Sequence, residues 1–133
     1  MDRTENLKNS DSRELSEEAV KLLLEKKAID VKMFEVSEYT SITDYYVNAT
    51  GRSSLHVSSL ADDIAQSFTE RSKPPYRIEG KRANSWILVD FGSVIVNVFD
   101  SESRSFYNFD RLLPAECFVD IEPLVNEVGK KFS

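Results

Sequence analysis

The chain has 133 residues, a net charge of -6 and a pI of about 4.9, and this length suits one domain with one modest core. The acidic charge argues against a nucleic-acid backbone as the partner, because affinity there comes from Lys and Arg displacing counterions, and it suits solubility or a basic protein partner instead. No apolar stretch approaches the roughly 20 residues that span a membrane. The single cysteine, Cys117, excludes an internal disulfide and fits a reducing, cytoplasmic location.

The N-terminal part is predicted to be an arm followed by a helix. Residues 1–13 mix acidic and basic side chains and lack the apolar region of a secretory signal, so we predict a disordered arm. The first helix is predicted to begin at Ser16 as the N-cap, with two glutamates in the first turn, where the helix dipole favours acids. A broad apolar stripe from Ala19 to Ala28 predicts that one side of this helix is buried.

Two strands and a second helix are predicted next. Residues 31–36 alternate between apolar and polar side chains, which is typical of a half-buried strand. Residues 44–50 are rich in the aromatic and β-branched side chains that favour strands. The second helix is predicted to be capped by Ser53 or Ser54, and apolar residues recur at the helical period over 57–68.

A strand pair makes up most of the remaining domain. A short strand over 77–79 is predicted to precede two apolar strands over 86–90 and 94–99, joined by a tight turn in which Gly92 can take a positive φ. The tail, residues 114–133, is predicted to be partly helical. The order α-β-β-α-β-β-β with a short helical C-terminus predicts an α/β fold, in which a mixed sheet carries helices on at least one face.

The residue types that carry catalysis do not form a complete constellation in this sequence. Asp90, Phe91 and Gly92 spell the metal-binding triplet of protein kinases, but the sequence has neither the glycine-rich phosphate loop nor the His-Arg-Asp loop of those enzymes. Asp90 and Asp100 are expected at opposite ends of the strand pair, too far apart at about 3.3 Å per residue to share a metal ion. We therefore predict no catalytic residue, no metal site, no cofactor and no enzymatic activity.

Aromatic residues make up 11% of the chain and are concentrated in the predicted strands and just after them. Successive side chains of a strand point to opposite faces, so the adjacent Tyr45 and Tyr46 must point apart and the aromatic residues cannot all share one core. Exposed Trp and Tyr side chains are the anchors that protein interfaces use, although core packing is the commoner role for any one aromatic residue. The composition alone leaves both roles open.

Three blocks of sequence, taken in order, resemble the signatures of one protein family. They are Ser41-Ile42-Thr43-Asp44-Tyr45-Tyr46-Val47 with Ala49-Thr50-Gly51-Arg52-Ser53 and His56-Val57, then Glu79-Gly80 with Trp86-Ile87-Leu88-Val89-Asp90-Phe91-Gly92 and Val94-Ile95-Val96-Asn97-Val98-Phe99, then Arg104 with Phe106-Tyr107-Asn108-Phe109-Asp110-Arg111-Leu112. Over roughly residues 16–113 the chain therefore resembles the ribosome silencing factor family, also called Iojap-like.

The resemblance implies a fold and a function. The fold is a nucleotidyltransferase-like α/β domain without catalytic acids, which we place over residues 14–113. The function is binding to the large ribosomal subunit through universal large-subunit ribosomal protein fourteen, which blocks joining of the small subunit and represses translation. The resemblance also implies a homodimer when the protein is free. An acidic adaptor that meets a basic ribosomal surface is electrostatically sensible.

The predicted contact residues surround the turn between the paired strands. They are Trp86, Asp90 and Phe91, with Glu79, Tyr46 and Tyr107 as second choices. We expect Trp86 to be an aromatic anchor and Asp90 to pair with a basic side chain of the partner. Two other functions remain open at this point: a divergent metal-dependent nucleotidyltransferase, which needs two carboxylates within metal-bridging distance, and a dimerising adaptor with another protein partner.

Five positions depart from the family pattern. Ser93 stands where the family usually has Asp, Asn97 where His is common and Leu113 where Trp is common. Leu55 replaces a polar or basic residue, and Asn48 replaces an apolar one. The changes at Ser93 and Leu113 remove an acid and an aromatic ring, so we expect them to alter the contact surface.

Overall fold

Four helices and six strands form the chain in this structure, a computed structural model that describes residues 5–132. The helices are α1 (Ser12–Glu25), α2 (Ser54–Glu70), α3 (Ser101–Tyr107) and α4 (Glu122–Phe132). The strands are β1 (Ile29–Glu35), β2 (Tyr45–Gly51), β3 (Arg77–Glu79), β4 (Trp86–Asp90), β5 (Val94–Asp100) and β6 (Phe118–Val119). The predicted α/β class is confirmed, and the predicted order holds through β5; α3 and β6 were not predicted.

All six strands belong to one mixed sheet in the order β3-β4-β5-β2-β1-β6. The central pair, β2 and β5, is parallel, and the other neighbours are antiparallel. Both central strands are buried along nearly their whole length, as expected for strands covered on two faces. This topology is compatible with the nucleotidyltransferase-like label, which stays a prediction.

The two faces of the sheet have different coverings. Helices α1 and α2 pack on one side, which we call the first face. Its strand residues form the main core and are 0% exposed: Val47, Ala49, Ile87, Val89, Val94, Val96 and Val98. Alternate residues of the same strands point to the opposite side, the second face. There α3 and the 3-10 turn Phe109–Leu112 cover part of the sheet.

The N-terminal segment is held against the domain from residue 5 onward. Leu7 is only 2% exposed and belongs to the main core, and its backbone N–H donates to the carbonyl oxygen of Arg71 at 2.7 Å. The prediction of a disordered arm is therefore wrong for residues 5–13, because one buried leucine and its backbone hydrogen bond hold the segment in place. Residues 1–4 of the predicted arm lie outside the described residues.

Helix α1 begins earlier than its composition suggested. Its N-cap is Asp11, whose carboxylate accepts from the Glu14 N–H at 2.8 Å, while the Glu14 side chain accepts from the Asp11 N–H at 3.0 Å. This reciprocal capping box satisfies two backbone donors that would otherwise lack partners. The predicted cap, Ser16, lies instead inside the helix, fully buried, and donates its hydroxyl to the Arg13 carbonyl.

The C-terminal tail is part of the same domain. Strand β6 extends the sheet, with Phe118 opposite Phe34 of β1, and α4 packs on α1 with Val128 buried. Pro123 lies in the first turn of α4, where a missing N–H costs nothing, so a proline is compatible with the start of this helix. The predicted limits of 14–113 are therefore too narrow for the folded unit.

A buried ion cluster connects both ends of the chain to α1. The Glu18 carboxylate lies 3.0 Å from Lys21 Nζ and 2.9 Å from Arg71 Nη2, and all three residues are at most 8% exposed. Arg71 Nε also donates to the Glu5 carbonyl, and Lys21 reaches Glu127 of α4 at 3.0 Å. These contacts hold the N-terminal segment and α4 against the domain. Removing one charge of the cluster would be destabilising, because its buried partner would be left uncompensated.

We expect the ionisation of Glu18 to make the stability of the fold depend on pH. Burial alone would raise the pKa of Glu18, but hydrogen bonds from Lys21 and Arg71 outweigh it and hold that pKa below its usual 4.5. A lowered carboxyl pKa contributes stability that is present above the unfolded pKa and lost as pH falls through the folded one. Glu18→Gln should therefore lower the free energy of unfolding by about 2 kcal/mol at pH 7.

Urea unfolding followed by circular dichroism tests this pH dependence. The difference between Glu18→Gln and the parent should shrink as the pH falls below 4.5. Glu17→Gln is the matched control, because Glu17 pairs with the exposed Arg13 on the surface of α1. A constant difference between Glu18→Gln and the parent across the acid range would contradict the assignment.

Candidate partner-binding surface

An aromatic cluster occupies the second face where α3 crosses the sheet. The indole of Trp86 lies 4.9 Å from the Phe99 ring, 4.8 Å from Tyr107 and 6.2 Å from Phe109, measured between centroids. These separations are those of attractive aromatic pairs. Trp86 is partly buried and Tyr107 is 49% exposed, so the cluster keeps two amphipathic side chains at the surface.

A shallow groove of about 290 Å³ runs beside this cluster, lined by Glu79, Gly80, Trp86 and Leu88. The indole and the leucine are apolar, and the carboxylate of Glu79 on the edge strand β3 is exposed. This combination suits a long basic side chain, whose aliphatic stem can lie on the apolar residues while its charge meets the carboxylate.

Gly80 gives the groove its shape. Its φ is 91°, and a Cβ at this position would overlap the backbone carbonyl oxygen of Trp86. Any residue other than glycine would thus be strained at this positive φ, and its Cβ would push strand β4 away.

Gly80→Ala is expected to lower the free energy of unfolding by about 2 kcal/mol, because both the positive φ and the overlap with Trp86 must be relieved. Gly129→Ala is the matched control, since a Cβ at Gly129 of α4 meets nothing within 4 Å, and it should be neutral or slightly stabilising. Urea unfolding of both variants provides the comparison. Equal effects would show that Gly80 is not constrained by Trp86.

The carboxylate of Asp90 already has partners within the chain. One oxygen accepts from the Gly92 N–H at 2.7 Å, and the other accepts from Arg77 Nε at 3.0 Å. Arg77 is about half exposed and also pairs with Glu79. A basic group of a partner would therefore have to share or displace Arg77 to reach Asp90.

Phe91 lies in the core and not on the contact surface. It is 1% exposed, and its ring lies 4.7 Å from Phe68 of α2 on the first face. Because it directly follows Asp90, which points to the second face, Phe91 turns toward the helices. The prediction that Phe91 binds a partner is therefore wrong.

The other predicted residues share the second face with Trp86. Tyr46 is partly buried, with its ring 5.0 Å from Phe109, and burial together with the charge of Asp90 raises the pKa of its phenol. Glu79 pairs with Leu88 in the sheet, which places both side chains on the same face. The structure thus brings Trp86, Tyr107, Tyr46, Asp90 and Glu79 to one side of the sheet.

A chain of side-chain hydrogen bonds beneath Trp86, which we call the amide relay, was not predicted from the sequence. Trp86 Nε1 donates to Asn97 Oδ1 at 3.0 Å, and Asn97 Nδ2 donates to Asn48 Oδ1 at 3.0 Å. Asn48 Nδ2 then donates to Asp110 Oδ1 at 2.8 Å. A signal was present in the sequence, because Asn48 and Asn97 are two of the five positions that depart from the family pattern.

Arg104 of α3 completes the relay at its far end. Its Nη2 donates to Asp110 Oδ2 at 2.8 Å and its Nη1 to the Thr50 hydroxyl at 3.0 Å, while the guanidinium lies 5.8 Å from the Phe99 ring centroid. Burial alone would raise the pKa of Asp110, but hydrogen bonds from Arg104 and Asn48 outweigh it and hold that pKa below its ordinary value. Asp110 is therefore a carboxylate acceptor at the end of the relay.

The family assignment is decided by the extent of the sequence match. The sequence model described as "Ribosomal silencing factor during starvation" matches residues 9–131. The chain belongs to the ribosomal silencing factor family. The match extends beyond the three recognised blocks at both ends, in agreement with the folded N-terminal segment and tail.

Curated relatives carry names of the same kind. Ribosomal silencing factor RsfS of Zymomonas mobilis is 36% identical over 86 residues, which cover 65% of this chain and 65% of that protein. Mitochondrial assembly of ribosomal large subunit protein 1 of Mus musculus is 32% identical over 104 residues, 76% of this chain and 46% of that protein. The chain therefore spans less than two thirds of these two relatives. RsfS of Halalkalibacterium halodurans, 28% identical, is matched over 98% of its length.

Solved structures agree with the fold. A crystal structure of a protein from Chromobacterium violaceum has a TM-score of 0.74 at 29% identity, covering 77% of this chain and 85% of that one. A protein from Bacillus halodurans has a TM-score of 0.72 at 29% identity, covering 81% and 98%. The resemblance and the mixed α/β fold expected of a ribosomal silencing factor are thus confirmed.

In this member of the family, the five departures from the family pattern have different surroundings. Asn48 and Asn97 hydrogen-bond each other in the amide relay. Leu113 packs beside the small cluster of Phe34, Val36 and Cys117, and Ser93 presents its carbonyl to two backbone N–H groups in the β4–β5 turn. Leu55 is 78% exposed at the start of α2.

Large apolar side chains are exposed beside the second face, on the segments that follow β5. Phe106 is 80% exposed, Leu112 76% and Phe118 52%.

Among residues 5–132, no group of three or more His, Cys, Asp and Glu side chains is placed to hold a metal ion. In the same part of the chain, every helix is too short or too polar to cross a membrane.

Proposed function

We propose that this chain silences translation by binding the large ribosomal subunit through universal large-subunit ribosomal protein fourteen and blocking association with the small subunit. Membership of the silencing factor family supports this function, and the mouse relative's name refers to the large subunit. The observation that carries the proposal is the formed aromatic surface of Trp86 and Tyr107 beside a groove with an acidic rim. Occlusion needs affinity and bulk but no catalysis, and it would take place in the cytoplasm, where ribosomes are assembled from their subunits.

The chemistry of the surface suits a basic protein partner. Trp86 is the kind of side chain that dominates interface energies, because a partly buried indole can be fully desolvated by a partner. Glu79 and Asp90 place two carboxylates near it, with Arg77 as an exchangeable counter-ion. The net charge of -6 would accelerate encounter with a positively charged surface.

Co-sedimentation with purified ribosomal subunits tests the proposal. We expect the chain to sediment with large subunits and not with small ones, and preloaded large subunits to form fewer joined ribosomes. The affinity should fall as ionic strength rises, because the attraction between unlike charges is screened. Failure to bind large subunits, or binding that leaves joining unchanged, would overturn the proposal.

We also propose that the free chain forms a homodimer. The exposed side chains of Phe106, Leu112 and Phe118 support this, because burying apolar surface against a second copy is favourable. Light scattering during size-exclusion chromatography should give twice the monomer mass of 15.2 kDa. A monomer mass at all concentrations would exclude the dimer.

A further inference from the structure

The amide relay has one chemical direction. The indole N–H of Trp86 can only donate, so it must face Oδ1 of Asn97, which leaves Nδ2 of Asn97 for Asn48. At the other end the carboxylate of Asp110 can only accept, so Asn48 must present its Nδ2 there. Each amide therefore has a single orientation that satisfies both of its neighbours.

Because the two amides are buried, reversing either of them would cost free energy. Asn97 is 1% exposed and Asn48 is 0% exposed. No bulk water can replace a lost partner at such sites, so an acceptor placed against another acceptor stays unsatisfied. The two strands that carry the amides are adjacent and parallel, with Asn48 directly opposite Asn97 in the register.

The relay connects the partly buried indole of Trp86 with the segment that supports it. Asp110 belongs to the 3-10 turn Phe109–Leu112, and the preceding ring, Phe109, lies 6.2 Å from Trp86 and 5.0 Å from Tyr46. Arg104 holds the same carboxylate from α3, whose last residue, Tyr107, lies against the indole. Trp86 is thus fixed by the hydrogen bond from its ring nitrogen and by aromatic rings whose position depends on Asp110.

We propose that Asn97 and Asn48 are positioning residues for partner binding, because they fix the indole of Trp86 and hold the turn that carries Asp110. Their effect on affinity rests on the proposed function, whereas their effect on Trp86 is a property of the free protein. A surface formed in advance spares the partner the entropic cost of ordering these side chains at the moment of association.

Asn48→Asp tests the direction of the relay with almost no change in shape. Position 48 would then present an acceptor to Asp110, and the two carboxylate oxygens would repel each other. We expect binding to large subunits to weaken about tenfold, as for a buried polar pair left unsatisfied. Trp86 is the only tryptophan of the chain, so its emission should shift to the red and its indole N–H should exchange faster in the free protein.

The exchanged pair, Asn48→Asp with Asp110→Asn, supplies the rescue. The carboxylate at position 48 would accept hydrogen bonds from Asn97 and from the new amide at position 110. The oxygen of that amide would accept from Arg104. The order of donors and acceptors is thus restored, and the net charge is unchanged. We expect affinity within about threefold of the parent and a parent-like Trp86 signal, the non-additivity typical of directly interacting residues. Asn126→Asp, at an exposed position of α4, adds the same charge as Asn48→Asp and should change neither signal.

The outcomes separate this inference from the proposed function. A parent-like Trp86 signal in Asn48→Asp, or an exchanged pair that is as impaired as Asn48→Asp or unfolded, would overturn the positioning role. If Asn48→Asp itself does not fold, the exchanged pair alone decides. If the Trp86 signal changes and is rescued as expected while even the parent fails to bind large subunits, the positioning of Trp86 stands and the proposed function falls.

Discussion

Trp86→Ala is expected to weaken binding to large ribosomal subunits about a hundredfold, the loss typical of truncating an aromatic anchor at an interface centre. The substitution removes the apolar wall of the groove and the ring that lies against Tyr107. It should also lower the free energy of unfolding by about 2 kcal/mol, because the indole packs on Phe99 and Phe109. The affinity is best measured by co-sedimentation at a temperature where circular dichroism shows the variant to be folded.

Two further variants separate the contact from the packing. Trp86→Phe keeps an aromatic ring in the cluster but loses the indole N–H that Asn97 accepts, so it should retain most of the stability and only part of the affinity. Leu55→Ala removes an apolar side chain that is 78% exposed on α2, which packs on the first face, and should bind like the parent. Full co-sedimentation of Trp86→Ala with large subunits would show that Trp86 is not an anchor.

Phe91→Ala is expected to lower the free energy of unfolding by about 4 kcal/mol, within the range for deleting a buried phenylalanine. Phe91 is 1% exposed against Phe68, so truncation would leave a cavity between α2 and the sheet. This loss is a large share of the roughly 5–15 kcal/mol by which a domain is stable. Urea unfolding followed by circular dichroism measures it.

The behaviour of the folded fraction distinguishes a core role from a contact role for Phe91. Phe106→Ala removes the same ring from a position that is 80% exposed and, at a protein concentration where the chain is monomeric, should change stability by less than about 0.5 kcal/mol. At low temperature, the folded part of Phe91→Ala should bind large subunits with the parent's affinity. A stable Phe91→Ala variant with weakened binding would instead restore Phe91 to the contact surface.

Elements with strong local signals were predictable, whereas elements that depend on distant partners were not. The apolar period of α2 and the two apolar strands with Gly92 between them were recognised, because local burial patterns determine them. Strand β6 has only two residues and exists because β1 offers an edge for it. The N-terminal segment is ordered through Leu7 and the backbone of Arg71, which is 64 residues away in the chain, 71 less 7. Short-range patterns contain no information about such contacts.

The sequence by itself determined the family, the α/β class and the presence of an acidic, aromatic-rich domain, because ordered motifs and apolar periods are properties of contiguous residues. Only the tertiary structure decided which aromatic residues face a partner. Alternation along a strand shows that Trp86 and Phe91 need not share a face, but the positions of α2 and α3 decide that Phe91 is covered while Trp86 stays partly open. The parallel register of β2 and β5 likewise brought Asn48 opposite Asn97, because strand pairing across a crossover is set by the packing of the whole domain.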